Sequence, residues 1–306
     1  MEKILEKIKI TGPVLIITAA ALWAVDGVIR RSLYTMLPIH IIFWEHIVGA
    51  LILAPIGFAF WDQTKLTKKE WGMVILVSFL SGLLGTLFFT TALLKTRYIS
   101  FSVVFLLQKL QPIFAISTAV IFLKEKLNKQ YIIWALLALV AAYFMTFPNG
   151  VVNFATGSDT VVAALFALVA AVAWGSSTTF SKMALQNQNS TLITALRFWI
   201  TAGMAFLAII LFGTFHSLAL PTFSQSLRFF AIALSTGMVA LLIYYRGLKM
   251  TPVRVSTILE LTFPFLAVLI DVFFYHNVLA VSQYFAGAVL LFAMYQITVL
   301  QNKHEI

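Results

Sequence analysis

The chain contains no cysteine, which removes disulfides, thiolate nucleophiles and cysteine-ligated metals from consideration. Charge is scarce as well: 10% of the 306 residues are Asp, Glu, Lys or Arg, and only 11 of these are acidic against 21 basic. The five histidines (His40, His46, His216, His276 and His304) are scattered without metal-ligand spacing. No Ser-His-Asp or paired-carboxylate arrangement emerges from sequence order, and no glycine-rich phosphate loop of the kind an ATP-driven pump uses is present. An enzyme, a metal site and a cofactor are therefore not expected, and any uphill work must draw on a gradient.

What the chain has in excess is apolar surface. At 61% hydrophobic residues and a mean hydropathy of +0.97, it cannot cover a water-facing surface with polar groups. A bilayer-spanning helix takes roughly 20 apolar residues. Ten such runs are predicted, at about 13–31, 38–60, 71–94, 100–123, 131–147, 160–181, 191–212, 227–248, 252–274 and 279–300. They leave short loops and no room for a soluble domain. The expected fold is thus an all-α, multi-pass protein of ten transmembrane helices in the inner cell membrane.

The chain also reads as a duplication. Ala-Leu-Trp-Ala at 21–24 returns as Val-Ala-Trp-Gly at 172–175, which sets Trp23 on Trp174 at an offset of 151. The same offset places His46 on Arg197, Phe122 on Phe273 and Glu125 on His276. Pro112 meets Pro264 at 152, and Ala92-Leu93 meets Gly247-Leu248 at 155. Two five-helix units, 1–147 and 160–306, are joined by a Pro-, Gly- and Asn-containing linker at 148–159 that carries no basic residue. Because five is odd, the second unit enters the membrane from the opposite side. Inverted repeats of this kind place a binding site near the midplane, where the halves meet.

Orientation follows from the basic residues. With the N-terminus in the cytoplasm, fourteen Lys and Arg fall on the inner side and five on the outer, Lys109 and Arg197 staying within spans. Both termini are therefore expected in the cytoplasm, and the basic excess is read as topology and lipid attraction, not as a nucleic-acid surface. Arg30, Arg31 and Lys182 are expected to anchor at the interface, and Asp271 to snorkel.

An ionisable group near the bilayer centre costs about 2.5–3.5 kcal/mol on insertion scales, so those that remain are functional candidates. Lys109 and Glu260 approach the midplane from different repeats, and an offset of 152 sets Gln108 on Glu260. Phe105, Gln108, Lys109 and Pro112 share a helical face, as do Ser256, Glu260 and Pro264. Each proline frees a carbonyl one turn back and loosens its helix beside the polar group. Lys109 and Glu260, with Gln108 and Gln111, suit a zwitterion; a mutual ion pair serving stability is the alternative. Trp23, Phe105, Trp174 and Tyr244 supply apolar walls, and Ser177 and Thr178 belong to a hydroxyl run beside Trp174. Asp26, Glu45 and His46 lie at comparable depth and are read either as a proton-loading cluster or as a static clamp. Arg197 and His46 are likewise read as gating contacts or as clamps between helices. Small residues such as Gly82, Gly85, Gly203 and Gly287 allow close helix approach, within one chain or across a homodimer.

The tandem five-span halves, the Leu-Trp-Ala and Ala-Trp-Gly openings, Arg197-Phe198, the prolines closing FLLQKLQP (105–112) and ILELTFP (258–264), and Phe122-Leu-Lys-Glu125 resemble the EamA type of the drug/metabolite transporter superfamily along nearly the whole chain. That resemblance implies a ten-helix carrier exporting amino acids and other metabolites through a central cavity. His276 stands where a family glutamate often ends the span, and His46 where arginine is common. The expected activity is secondary active transport of a small metabolite by alternating access, with proton coupling. A channel-like facilitator is the alternative, and a membrane-embedded enzyme a more distant one.

Overall fold

A computed structural model describes residues 11–30, 33, 35–61, 65–95, 107–108, 110–152, 160–275 and 279–304. These residues are helical with short connections, and no strand occurs among them. In chain order the α-helices are α1 (Gly12–Arg30), α2 (Pro38–Trp61) and α3 (Lys68–Val77). The π-helical stretch π1 (Ser78–Gly85) joins α3 directly to α4 (Thr86–Lys95). Then come α5 (Gln111–Thr118), π2 (Ala119–Leu123), α6 (Lys129–Thr146) and α7 (Thr160–Leu185). The remainder is α8 (Ser190–Leu211), α9 (Phe223–Leu234), α10 (Met238–Met250), α11 (Val253–Leu259), α12 (Thr262–Tyr275) and α13 (Val281–His304).

Local chemistry sets the ends. Thr67 and Glu70 form a capping box at the start of α3, Thr222 and Gln225 do the same for α9, and Asn128 and Asn189 cap α6 and α8. Each satisfies N–H groups that a helix leaves unpaired. Lys124 ends π2 in the left-handed region, at φ 58°, reversing the chain before α6.

Seven segments among the described residues are long and apolar enough to cross a membrane: Pro38–Ala59, Lys68–Ala92, Lys129–Thr146, Val161–Leu185, Ser190–Leu211, Phe223–Met250 and Val281–Gln301. Gly12–Asp26 and Gln111–Leu123 are shorter apolar helices. The ninth expected span is broken between α11 and α12 at Glu260–Leu261. The fourth breaks at Leu110, ahead of α5. Both breaks sit beside the repeat-related prolines Pro112 and Pro264, as the freed carbonyls require.

The helices pair mainly between halves. α1 packs on α10 and α12, while π1, α4 and α5 pack on α7. α2 lies against α8, α5 against α11, and α6 against α13. Exchanging the two halves turns each of these pairings into another of the set or into itself, which is a pseudo-two-fold relation read from contacts alone. The inner faces are small: Ala135, Ala138, Ala141 and Ala142 of α6 meet Ala293 of α13 in the buried core. Large apolar side chains such as Leu51, Leu136, Leu165, Leu207 and Phe285 point outward, the distribution expected when lipid is the solvent.

Candidate functional site

The two halves enclose a cavity of about 330 Å³. From the first half, α1 contributes Trp23 and Asp26, α2 contributes Glu45 and His46, and π1 and α4 contribute Ser81, Thr86, Phe89 and Thr90; Gln108, Gln111 and Pro112 complete that side. From the second, α7 contributes Trp174, Ser177, Thr178 and Ser181, and α8 contributes Arg197 and Phe198. The α9–α10 turn and α10 supply Thr236, Gly237, Leu241 and Tyr244, and the broken α11–α12 supplies Thr257, Glu260, Leu261, Phe263 and Pro264.

At the centre, Glu260 sits in the gap between α11 and α12 and takes one hydrogen bond from each half. The Tyr244 hydroxyl donates to its Oε1 at 2.6 Å, and the Gln111 amide to its Oε2 at 3.2 Å. Gln111 begins α5 immediately after the other helix break, so the two interrupted helices meet through this carboxylate. Both donors are neutral, so neither Tyr244 nor Gln111 gives the carboxyl group a charged partner.

Around this centre the aromatic rings follow the duplication. Trp23 packs on Tyr244 with ring centroids 5.0 Å apart, and Trp174 packs on Phe89 at 5.1 Å. Trp23 and Trp174 are repeat mates at an offset of 151, and Phe89 and Tyr244 at 155. The same aromatic pair is therefore built twice, once on each side of the cavity. Wide π1 geometry exposes the Ser81 carbonyl, which accepts the Trp174 indole N–H at 3.1 Å and the Thr86 hydroxyl at 3.1 Å.

The remaining polar groups bind helix to helix. Arg197 donates from Nη1 to the Tyr245 hydroxyl at 2.7 Å and from Nη2 to the Ser81 hydroxyl at 2.5 Å, and its guanidinium lies 5.5 Å from the Tyr245 ring centre. It thus fastens α8 to α10 and π1 while still bordering the cavity. His46 is hydrogen-bonded through Nδ1 to the Ile42 carbonyl at 2.9 Å and stacks 5.1 Å from Phe198. Asp26 accepts the Thr236 hydroxyl at 2.5 Å. Glu45 faces the same α9–α10 turn at Gly237.

Of the residues singled out from sequence, Trp23, Gln108, Gln111, Trp174, Ser177, Thr178, Tyr244, Glu260, Asp26, Glu45, His46 and Arg197 all border this one cavity. Ser256 does not: it is fully buried and its hydroxyl turns back to the Pro252 carbonyl at 3.0 Å. Phe105 and Lys109 lie outside the described residues, as does His276. Lys182 is no lipid anchor, because its ammonium bonds three backbone carbonyls at the end of α10. Among the described residues no cluster of three or more His, Cys, Asp or Glu is placed to hold a metal.

Phe89, Thr90, Thr236, Leu241 and Thr257 border the cavity without having been singled out, while Ser81, Thr86, Phe198 and Phe263 were read only as packing, motif or helix-face residues. The signal for several was present. The offset of 155 that aligns Ala92 with Gly247 also aligns Ser81 with Thr236, Thr86 with Leu241 and Phe89 with Tyr244.

Comparison with known proteins matches this architecture. The model of the EamA-like transporter family fits the chain twice, over residues 10–147 and 161–299. The chain is 34% identical over 295 residues to a protein named riboflavin transporter ImpX from Fusobacterium nucleatum, covering 95% of this chain and 98% of that one. A solved crystal structure superposes with a TM-score of 0.74 over 96% of this chain and 99% of its own, at 20% identity, a likeness of fold. With both halves matched and the cavity lying between them, the chain belongs to the EamA-like transporter family of integral, multi-pass membrane proteins.

Proposed function

We propose that this protein is a secondary carrier of a flat heteroaromatic metabolite, riboflavin or a close flavin, which it moves by alternating access around the central cavity. The carrying observation is the doubled aromatic pair, Trp23–Tyr244 and Trp174–Phe89, with Glu260 and Gln111 between the halves. Aromatic faces offer large contact to a planar ring system, and a few fixed polar groups orient it. A flavin has both a ring N–H for the Glu260 carboxylate and a polyhydroxylated tail for Gln108, Thr178 and Thr90. The relative named as a riboflavin transporter supports the same ligand.

The reading keeps ten spans in two inverted units, with both termini in the cytoplasm. It is preferred to amino-acid export, which the family resemblance implied and a zwitterion site at Lys109 and Glu260 suited; the described partners of Glu260 are the neutral Tyr244 and Gln111. Asp26, Glu45 and His46 are assigned to proton coupling. The test is counterflow of riboflavin in proteoliposomes, read by flavin fluorescence, with unlabelled amino acids as competitors. Riboflavin exchange that is insensitive to amino acids and lost in Glu260→Gln is expected. Competition by an amino acid, or full exchange in Glu260→Gln, overturns the assignment. An imposed pH gradient should drive accumulation in the wild type and not in Glu45→Gln; accumulation indifferent to the gradient removes the proton.

A further inference from the structure

The cavity ends abruptly on one side. Ser181 is its last lining residue on α7, and Lys182, the next residue, donates to the carbonyls of Leu248 (2.7 Å), Lys249 (2.9 Å) and Thr251 (3.0 Å). An ammonium has three N–H groups, and here all three close the C-terminal end of α10, where the helix dipole also favours a cation. Lys249 in turn donates to the Gln188 carbonyl at 2.8 Å, and the Gln188 amide donates to Glu70 Oε1 at 2.7 Å. One polar chain therefore connects α7, the α7–α8 connection, the end of α10 and the start of α3. Tyr245, Leu248, Leu185 and Leu192, on the same stretches of helix, are each fully buried. Gly12 and Gly247 bring α1 and α10 into backbone contact at the same level, with a Cβ on Gly247 falling 3.0 Å from the Gly12 carbonyl.

At the other side the lining extends to Asp26, fourteen residues along α1 from Gly12, and to Thr236 at the α9–α10 turn. Fourteen residues of helix rise about 21 Å, so the cavity reaches far from the polar chain at that end.

We infer that Lys182, Lys249, Gln188 and Glu70 form the gate that shuts the cavity on the side of the α7–α8 connection, with Lys182 as its bolt. The inference rests on the alternating-access reading and does not depend on which molecule is carried. Opening that side requires the end of α10 to part from α7, and Lys182 resists the separation with three charge-assisted hydrogen bonds at once. Lys182→Met keeps the length of the side chain and removes the bonds. Lys182→Arg keeps the charge and the donors.

Because the protein has no cysteine, a single cysteine reports without background. Ser177→Cys reports the cavity. Asn187, exposed in the α7–α8 connection, is replaced in a separate Asn187→Cys chain to define the side on which that connection lies. Both are labelled with a membrane-impermeant maleimide in vesicles of each orientation, without substrate. Labelling of Ser177→Cys from the gate side is expected to rise at least about tenfold in Lys182→Met, the change that one of its three lost charge-assisted hydrogen bonds alone brings to a two-state equilibrium. Lys182→Arg should stay near the wild-type rate. Should Lys182→Met fail to yield folded protein, Gln188→Ala and Glu70→Gln open the same chain more gently and should raise the rate in the same direction. Unchanged gate-side labelling in the folded variants overturns the gate. Labelling that rises in vesicles that do not exchange riboflavin leaves the gate standing and removes the flavin.

Discussion

Replacing Gly175 by alanine tests how the central carboxylate is held. Gly175 brings α7 against α5 so closely that an added Cβ would lie 2.6 Å from the Gln111 carbonyl oxygen, 2.9 Å from the Phe114 Cβ and 3.1 Å from the Ala115 nitrogen. Two of these are backbone atoms, which cannot rotate away. Reaching an ordinary contact of 3.4 Å from 2.6 Å parts the helices by about 0.8 Å along that line. The Gln111–Glu260 hydrogen bond is already 3.2 Å long, and an added shift of that size takes it beyond hydrogen-bonding range. Overpacking of this kind costs about 1–3 kcal/mol, and each kcal/mol lowers the melting temperature by roughly 2–4 °C. On the flavin proposal, a central carboxylate that has lost this positioning bond should bind riboflavin about tenfold more weakly. Gly203→Ala is the control, because nothing lies within 4 Å of a Cβ there; it should match the wild type. Thermal unfolding in detergent and riboflavin titration by tryptophan quenching read the two effects. If Gly175→Ala behaves like Gly203→Ala in both, the close approach of α5 and α7 does not hold Glu260, and the reasoning fails.

Two further predictions follow from helix-to-helix ties. Arg197→Lys should lower stability by about 1–3 kcal/mol, since one ammonium cannot reproduce the fork that reaches both Tyr245 and Ser81; an unchanged melting temperature would mean that the fork is idle. Glu125 accepts the backbone N–H groups of Val253 (2.7 Å) and Arg254 (3.0 Å) and pairs with the Arg254 guanidinium at 3.7 Å. Glu125→Gln should therefore cost about 0.5–2 kcal/mol in thermal unfolding while riboflavin exchange per folded molecule stays constant; a large loss of exchange would place Glu125 in the transport cycle.

Periodicity and repeat offsets made much of this molecule legible. The prolines at 112 and 264 marked both helix breaks, because a missing N–H and a displaced carbonyl act locally whatever surrounds them. Most polar residues within the apolar runs border the cavity for an equally local reason, since lipid tolerates them poorly. What escaped depends on neighbours. Ser256 shares a helical face with Glu260, yet its hydroxyl satisfies itself on Pro252, and sequence spacing does not reveal that choice. Lys182 looks like any interfacial lysine until the end of α10 is placed beside it. Phe89 was hidden because the repeat offset drifts from 151 at Trp23 to 155 at Tyr244. The aromatic walls were expected, but the pairing of Trp23 with Tyr244 was not legible, since it exists only in three dimensions.

The exchange of partners between halves bears on how the chain is made. α1 finds its neighbours in α10 and α12, α2 in α8, and α6 in α13, each of them synthesised long after it. While the ribosome is still translating the second half, the helices of the first are in the bilayer without their mates, their glycine and alanine faces against lipid. Insertion and assembly are thus separate stages, and the Gly12–Gly247 seam cannot close until more than two hundred residues have followed Gly12 out of the ribosome.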